Sequence, residues 1–280
     1  MAIRTDLAVE RAELGGTTSA DLQKKTEEIQ GLMCTRVTDA QGGSYLTLDM
    51  PPIRQEENGF DRLCEAVAIL LGQLAPPLPR EAPVLVLGLG NRAVTPDALG
   101  PLCCQHVLAT RHLVQSEPAL HGFRSTCVLA PGVLGTTGLE SGEIVLGLLR
   151  EIAPAMVIAV DALAARRMHR LMGTIQLTDT GIVPGSGVGN ARTALTRETL
   201  GVPVLMLGVP TVIDTQTIAE DLAEETGLPA ERFAALDHPA IITTRDVDQQ
   251  VMDAARILGY GIDLFLHPQL SRSDLDAFLN

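Results

Sequence analysis

Two aspartates stand apart in this chain as groups able to do chemistry. Asp97 lies in the string TPDALGP shortly after one apolar run, and Asp161 closes another, AMVIAV. Two carboxylates brought close together cannot both ionise readily, so one holds a proton and serves as an acid while the other serves as a base. That division suits the attack of water on an amide. Each residue also has a plain structural reading. Asp97 complements a helix dipole in a first turn, and Asp161 caps a helix running through DALAARRMHR.

Other candidates carry less. The stretch 88–93, GLGNRA, fits the loose G-x-G-x-x-[GA] dinucleotide pattern. The expected helix, however, opens only at Thr95-Pro96, and no acidic residue ends a strand about 20 positions further on. Asp179-Thr180-Gly181 has the tripeptide of pepsin-like aspartic proteases, once and outside a β-rich setting, and a turn after a strand accounts for it. Ser186 lacks the G-x-S-x-G frame of a nucleophile elbow. The run Gly185-Ser186-Gly187 reads instead as flexible backbone whose N–H groups can approach a substrate.

Composition narrows the field further. The chain has 280 residues, a formal charge of −13, 46% hydrophobic and 20% charged residues, values of a globular protein with a core. An acidic chain is a poor binder of phosphate backbones, and 2% aromatics without Trp leave no stacking platform, so no nucleic-acid partner is expected. The only lysines, Lys24 and Lys25, sit together in a polar stretch, which excludes a Walker A loop and a Schiff base. The six histidines show no H-E-x-x-H or H-x-x-E-H spacing, so neither a zinc site nor any cofactor is expected. Cys34, Cys64, Cys103, Cys104 and Cys127 are odd in number and lack a C-x-x-C, which suggests reduced core thiols and a cytoplasmic setting. The opening MAIRTDLAVERAE has no apolar h-region, and no apolar run approaches the roughly 18–20 residues of a membrane span, so no membrane partner is expected.

The elements that must position the aspartates follow from periodicity. NGFDRLCEAVAILLGQL at 58–74 has helical spacing and stops at a proline-rich stretch. PVLVLGLG, STCVLAPGV, AMVIAV, GTIQLTDTGI and PVLMLGVPTVID read as five strands, with helices opening at Thr95-Pro96 and covering LESGEIVLGLLREI, TRETLG and TIAEDLAEETG. SYLTLDM adds a strand nearer the N-terminus. Such alternation predicts an α/β protein, a doubly wound and largely parallel sheet with helices on both faces, whose chemistry collects beyond the carboxyl ends of the strands. Residues 7–80 read as a polar addition to a core at 81–280 within one domain.

The chain also resembles the germination proteases of spore-forming bacteria. The matching stretches are IRTDLAVE at 3–10, LGLGNRAVTPDALGP at 87–101, PGVLGTTGLESGEI at 131–144 and VIAVDALAARRMHR at 157–170. TIQLTDTGIVPGSGVGNARTALTRETLGVPV at 174–204 and GVPTVID at 208–214 extend the match. The resemblance implies an endopeptidase that degrades small acid-soluble spore proteins, with a fold distantly similar to hydrogenase-maturation proteases. It also implies an inactive zymogen in the forespore or spore core, a homotetramer, and catalytic carboxylates at Asp97 and Asp161. The implied self-processing bond is Asp6–Leu7, making residues 1–6 a propeptide, shorter than is usual in the family. Roles that follow are water activation by one aspartate, protonation of the leaving amine by the other, and backbone donors from loops 131–138 and 184–190. Asn91 either orients a carboxylate or holds its own loop. The region after 215 is shorter than in typical members. Two rival readings of the same cleft are a metal-assisted hydrolase using both aspartates as ligands and a non-catalytic peptide-binding protein.

Overall fold

The computed structural model describes residues 5–13, 23–53, 58–117, 120, 122–183, 193–229, 232–233 and 240–279. Helix α1 (Ala8–Glu13) precedes a meander of β1 (Gln23–Ile29), β2 (Leu32–Thr38) and β3 (Ser44–Asp49), followed by α2 (Gly59–Leu74). Strand β4 (Val84–Gly88) leads through a 3-10 turn at Thr95–Asp97 to α3 (Leu99–Cys103), a second such turn at Cys104–His106, and α4 (Arg111–Ser116). Then come β5 (Thr126–Leu129), α5 (Leu134–Thr137), α6 (Ser141–Ile152), β6 (Met156–Ala165) and β7 (Thr174–Thr178). The chain continues with α7 (Arg197–Leu200), β8 (Val204–Asp214), α8 (Thr215–Thr226), β9 (Ile241–Ile242), α9 (Val247–Leu266) and α10 (Arg272–Leu279).

One sheet gathers the strands in the order β1-β2-β3-β7-β8-β6-β4-β5, with β9 paired to the end of β8. Strands β8, β6, β4 and β5 run parallel, while every pairing from β1 across to β8 is antiparallel. The sheet is therefore mixed, which corrects the expectation of a largely parallel one. The physical reason lies between β6 and β7. Only residues 166–173 separate them, and a parallel crossover needs a dozen or more residues, usually with a helix. Strand β7 consequently returns in the opposite direction beside β8 and links the meander to the parallel half.

Alternation along the central strands feeds two cores. Val84 and Val86 of β4 join Met156, Ile158 and Val160 of β6 on the face covered by α2, α3 and α9. Leu85 and Leu87 turn to the other face with Val157 and Ala159, under Val145 of α6 and Leu200 of α7. Helices thus line both faces, and each fully buried aliphatic side chain contributes about 1.5–3 kcal/mol. The N-terminal segment adds strands to the same sheet, and its Cys34, Leu46 and Leu48 lie in the larger core. Strand β1 is exposed along the sheet edge and carries Lys24 and Lys25, charges that oppose pairing with another chain.

Two helices expected from the sequence are not formed as read. The segment DALAARRMHR does not begin a helix at Asp161, because β6 runs on to Ala165 beside Val209, Pro210, Val212 and Ile213 of β8. Pairing with this β-branched partner outweighs the helix propensity of an Ala-rich string. The helix expected to open at Thr95-Pro96 is broken into two 3-10 turns and two short helices.

Candidate active site

Close backbone packing sets the position of Asp97. Beyond β4 the Leu89 N–H donates to the Val160 carbonyl at 2.8 Å, keeping the chain on β6 for one more residue. Gly90 has φ +110°, and a Cβ there would lie 2.1 Å from the Asp97 carbonyl oxygen. A Cβ on Gly100 would lie 2.3 Å from the Leu89 carbonyl oxygen and 2.5 Å from that of Val160. Glycine is required at both points because the Thr95–Asp97 turn presses on Gly90 and the start of α3 presses on the backbone of Leu89 and Val160. The turn packs against β6, β8 and α9. Within it, the Asp97 N–H donates to the Val94 carbonyl and Asp97 Oδ2 accepts the Asn91 N–H, both at 2.8 Å.

Asp161 directly follows the Val160 carbonyl that receives Leu89. It is 6% exposed, and its Oδ1 accepts the N–H of Ala162 at 2.9 Å. Across the sheet it opposes Gly208 of β8, which opposes Gln176 of β7, which opposes Thr47 of β3. Residues in register share a face, so Asp161 and Gln176 flank a glycine on one row. Gln176 Oε1 accepts the Thr47 hydroxyl at 2.9 Å, and its buried Nε2 has no partner among the described residues. Sequence reasoning passed over Gln176, since its place opposite Gly208 depends on the direction of β7.

The structure thus brings the Asp97 turn and Asp161 to the same end of the parallel strands. Asn91 performs its contact through the backbone, while its side-chain Oδ1 accepts the Ala93 N–H at 3.0 Å and holds the loop. Gly185, Ser186 and Gly187 lie outside the described residues. In the 131–138 loop, the N–H groups of Thr136, Thr137 and Gly138 are taken by the carbonyls of Val133 and Leu134. Asp179 is a turn residue, its Oδ1 accepting the Ser44 N–H at 2.8 Å to tie β7 to β3.

Nucleophilic thiol chemistry finds no support here. Burial pushes Cys34 and Cys104 up to about 11 and raises Cys64, Cys103 and Cys127 as well, so all five remain protonated near neutrality. His267 is fully buried and accepts the Arg124 N–H at Nδ1; desolvation, with the Arg124 charge second, lowers it to about 4. Among the described residues, no group of three or more His, Cys, Asp or Glu side chains is placed to hold a metal ion. No helix among them is long and apolar enough to cross a membrane.

The bond between Asp6 and Leu7 lies against the far part of β6. Asp6 donates its N–H to the Ala164 carbonyl at 3.1 Å and accepts the Ala164 N–H on Oδ2 at 2.9 Å. Ala164 lies three positions beyond Asp161 on the same strand, roughly 10 Å along it. Leu7 is fully buried with Val9, Val37 and Ala165. Glu10, also missed from the sequence, is fully buried and accepts the N–H groups of Arg166 at 2.8 Å and Arg167 at 2.9 Å.

Comparison with known proteins gives this arrangement a family. The germination protease family model matches residues 8–226. The chain belongs to the germination protease family. The germination protease of Caldanaerobacter subterraneus is 36% identical over 323 aligned positions, covering 100% of this chain and 99% of that protein. That of Bacillus cytotoxicus is 33% identical over 359 positions, covering 99% and 97%, and that of Bacillus anthracis is 32% identical over 357, covering 99% and 96%. These alignments exceed the 280 residues of the chain, so the germination proteases compared carry segments without a counterpart here. Membership makes the protein a peptide hydrolase, an endopeptidase of spore germination.

Proposed function

We propose that this endopeptidase degrades small acid-soluble spore proteins through the Asp97–Asp161 pair, and that it is stored in the forespore as a homotetrameric zymogen. The observation that carries the site assignment is the seating of the Leu89–Gly100 segment on the Val160 carbonyl, beside Asp161. One aspartate takes a proton from the attacking water while the other, protonated, delivers one to the leaving amine. The aspartate that holds the proton is the acid and its partner the base. Gly185, Ser186 and Gly187 would offer backbone donors to the substrate. Activation removes residues 1–6 by hydrolysis of Asp6–Leu7.

The test is digestion of a purified small acid-soluble spore protein by chain 7–280, with and without EDTA, beside Asp97→Asn and Asp161→Asn. Cleavage that survives EDTA and falls by at least about a thousandfold in each variant is expected, since each amide removes one acid–base role and the associated charge. Cleavage lost to EDTA and restored by a divalent ion would transfer both aspartates to a metal. Cleavage by both variants at the wild-type rate would discard the site. Stable binding of the spore protein without cleavage would favour a binding protein.

A further inference from the structure

Thr5, Leu7 and Glu10 form a short relay. The Leu7 N–H donates to the Thr5 hydroxyl oxygen at 3.1 Å, and that hydroxyl donates in turn to Glu10 Oε2. Glu10 is wholly buried, and besides the Arg166 and Arg167 N–H groups it has Arg170 Nε 3.6 Å from Oε1. One hydroxyl therefore stands between a buried carboxylate and the nitrogen of Leu7.

We propose that Glu10 is a binding site for a chain-terminal ammonium, the α-amino group of Leu7 freed when the Asp6–Leu7 bond is hydrolysed. This rests on the processing put forward above. In that hydrolysis the amide C–N bond breaks and the hydroxyl of water joins the Asp6 carbonyl carbon. The remaining proton of the water goes to the Leu7 nitrogen, which takes another from solvent at neutral pH. The departing residues carry away the Thr5 hydroxyl. The Leu7 nitrogen thus loses its acceptor and Glu10 Oε2 one of its two donors, the Arg166 N–H remaining, and moving across the vacated position joins the two. A buried carboxylate stripped of a donor is costly, and an ammonium beside it restores the balance. Leu7 stays at hand because its side chain is anchored against Val9, Val37 and Ala165.

The surrounding charges leave Glu10 as the counter-ion. Arg166 and Arg167 direct their guanidinium groups to Asp221 and Glu224, and Arg167 also to Glu225, on α8. On β2, Arg36 faces Glu27 and Gln73, and on β3 the Tyr45 hydroxyl goes to Asp39. Arg170 opposes the incoming ammonium. The same carboxylate holds the backbone of residues 166 and 167, just past the end of β6, so the pair ties the new terminus to the strand that bears Asp161.

The test uses chain 1–280 and chain 7–280, the latter released from an N-terminal carrier by a protease that leaves Leu7 first. The α-amino pKa of Leu7 is read from the pH dependence of its acylation rate, in wild type and Glu10→Gln. The wild-type value is expected to lie above that of the variant by at least about one unit. Acetylating Leu7 should lower the Tm of wild-type 7–280 but not that of Glu10→Gln. Equal α-amino pKa values, or the same acetylation effect in both, would overturn the proposal. If Glu10→Gln does not fold, a wild-type α-amino value no higher than the ordinary ~7.7–8.0 overturns it and a value about a unit higher upholds it. N-terminal sequencing of incubated 1–280 tests the processing reading separately, and a different cut there removes that reading without touching the measurement on 7–280.

Discussion

Replacing Gly100 with alanine should disable the site without unfolding the protein. The added carbon would lie 2.3 Å from the Leu89 carbonyl oxygen and 2.5 Å from both the Leu89 nitrogen and the Val160 oxygen. Ordinary contact begins near 3.5 Å, so the α3 segment must retreat by about 1 Å. All three obstructing atoms are backbone, two of them joined by the Leu89–Val160 hydrogen bond, so no side chain can swing aside. Overpacking of this kind costs about 1–3 kcal/mol. Asp97 lies three residues before Gly100 and would move with it. A displacement of about 1 Å at a reacting group costs on the order of a hundredfold in rate. The assay is kcat/KM on a spore-protein substrate, with the Tm measured on the same preparations. Gly147→Ala is the control, since that glycine is exposed in α6 and its Cβ would meet nothing within 4 Å. It should gain about 0.5–1 kcal/mol in stability at unchanged rate. A Gly100→Ala enzyme with wild-type kcat/KM would refute the claim that this packing positions Asp97.

Other outcomes follow from the same geometry. His267, held at about 4 in the folded chain against 6.5 when free, favours the folded state above pH 6.5, and that contribution is lost as pH falls toward 4. Urea unfolding at several pH values should show wild-type stability dropping relative to His267→Gln by up to about 3 kcal/mol across that window. The comparison with the variant matters because burial raises Asp263, which acts in the opposite sense, favouring the folded state at lower pH. Asp214 caps α8 by accepting the Gln216 N–H at 2.9 Å, so Asp214→Ala should cost about 1 kcal/mol and leave kcat unchanged, as read by thermal melts and the same peptide assay. Ile158→Ala, in the first half of β6 and fully buried, should cost about 2–5 kcal/mol in urea unfolding.

Much of the architecture was legible in local pattern. The apolar run at β4, the amphipathic helix ending at Leu74 and the strand from Val204 lie close to where periodicity put them, because each buries its own side chains whatever its neighbours do. The meander was legible only in part. SYLTLDM was readable as β3, but QKKTEEI of β1 has no apolar alternation, since it sits at an exposed edge and is a strand through pairing with β2. The end of β6 was hidden for a related reason: ALAARR favours a helix by composition, and β8 alongside makes its first four residues strand.

The candidate site divides along the same line. Sequence by itself determined the chemistry available: Asp97 and Asp161 as carboxylates after apolar strands, thiols destined for burial, and the stretches that resemble germination proteases. Tertiary structure alone decided how these are arranged. It made the sheet mixed through a connection too short to cross over, and it turned Gly90 into a contact point under the Asp97 turn and Gly100 into one between α3 and the strand ends. It also set Gln176 two strands from Asp161 and buried Glu10 one hydroxyl from Leu7. Residue type fixes what a group can donate, accept or ionise. Which groups meet depends on strand direction, register and backbone approach, and those arise from partners far away in the chain.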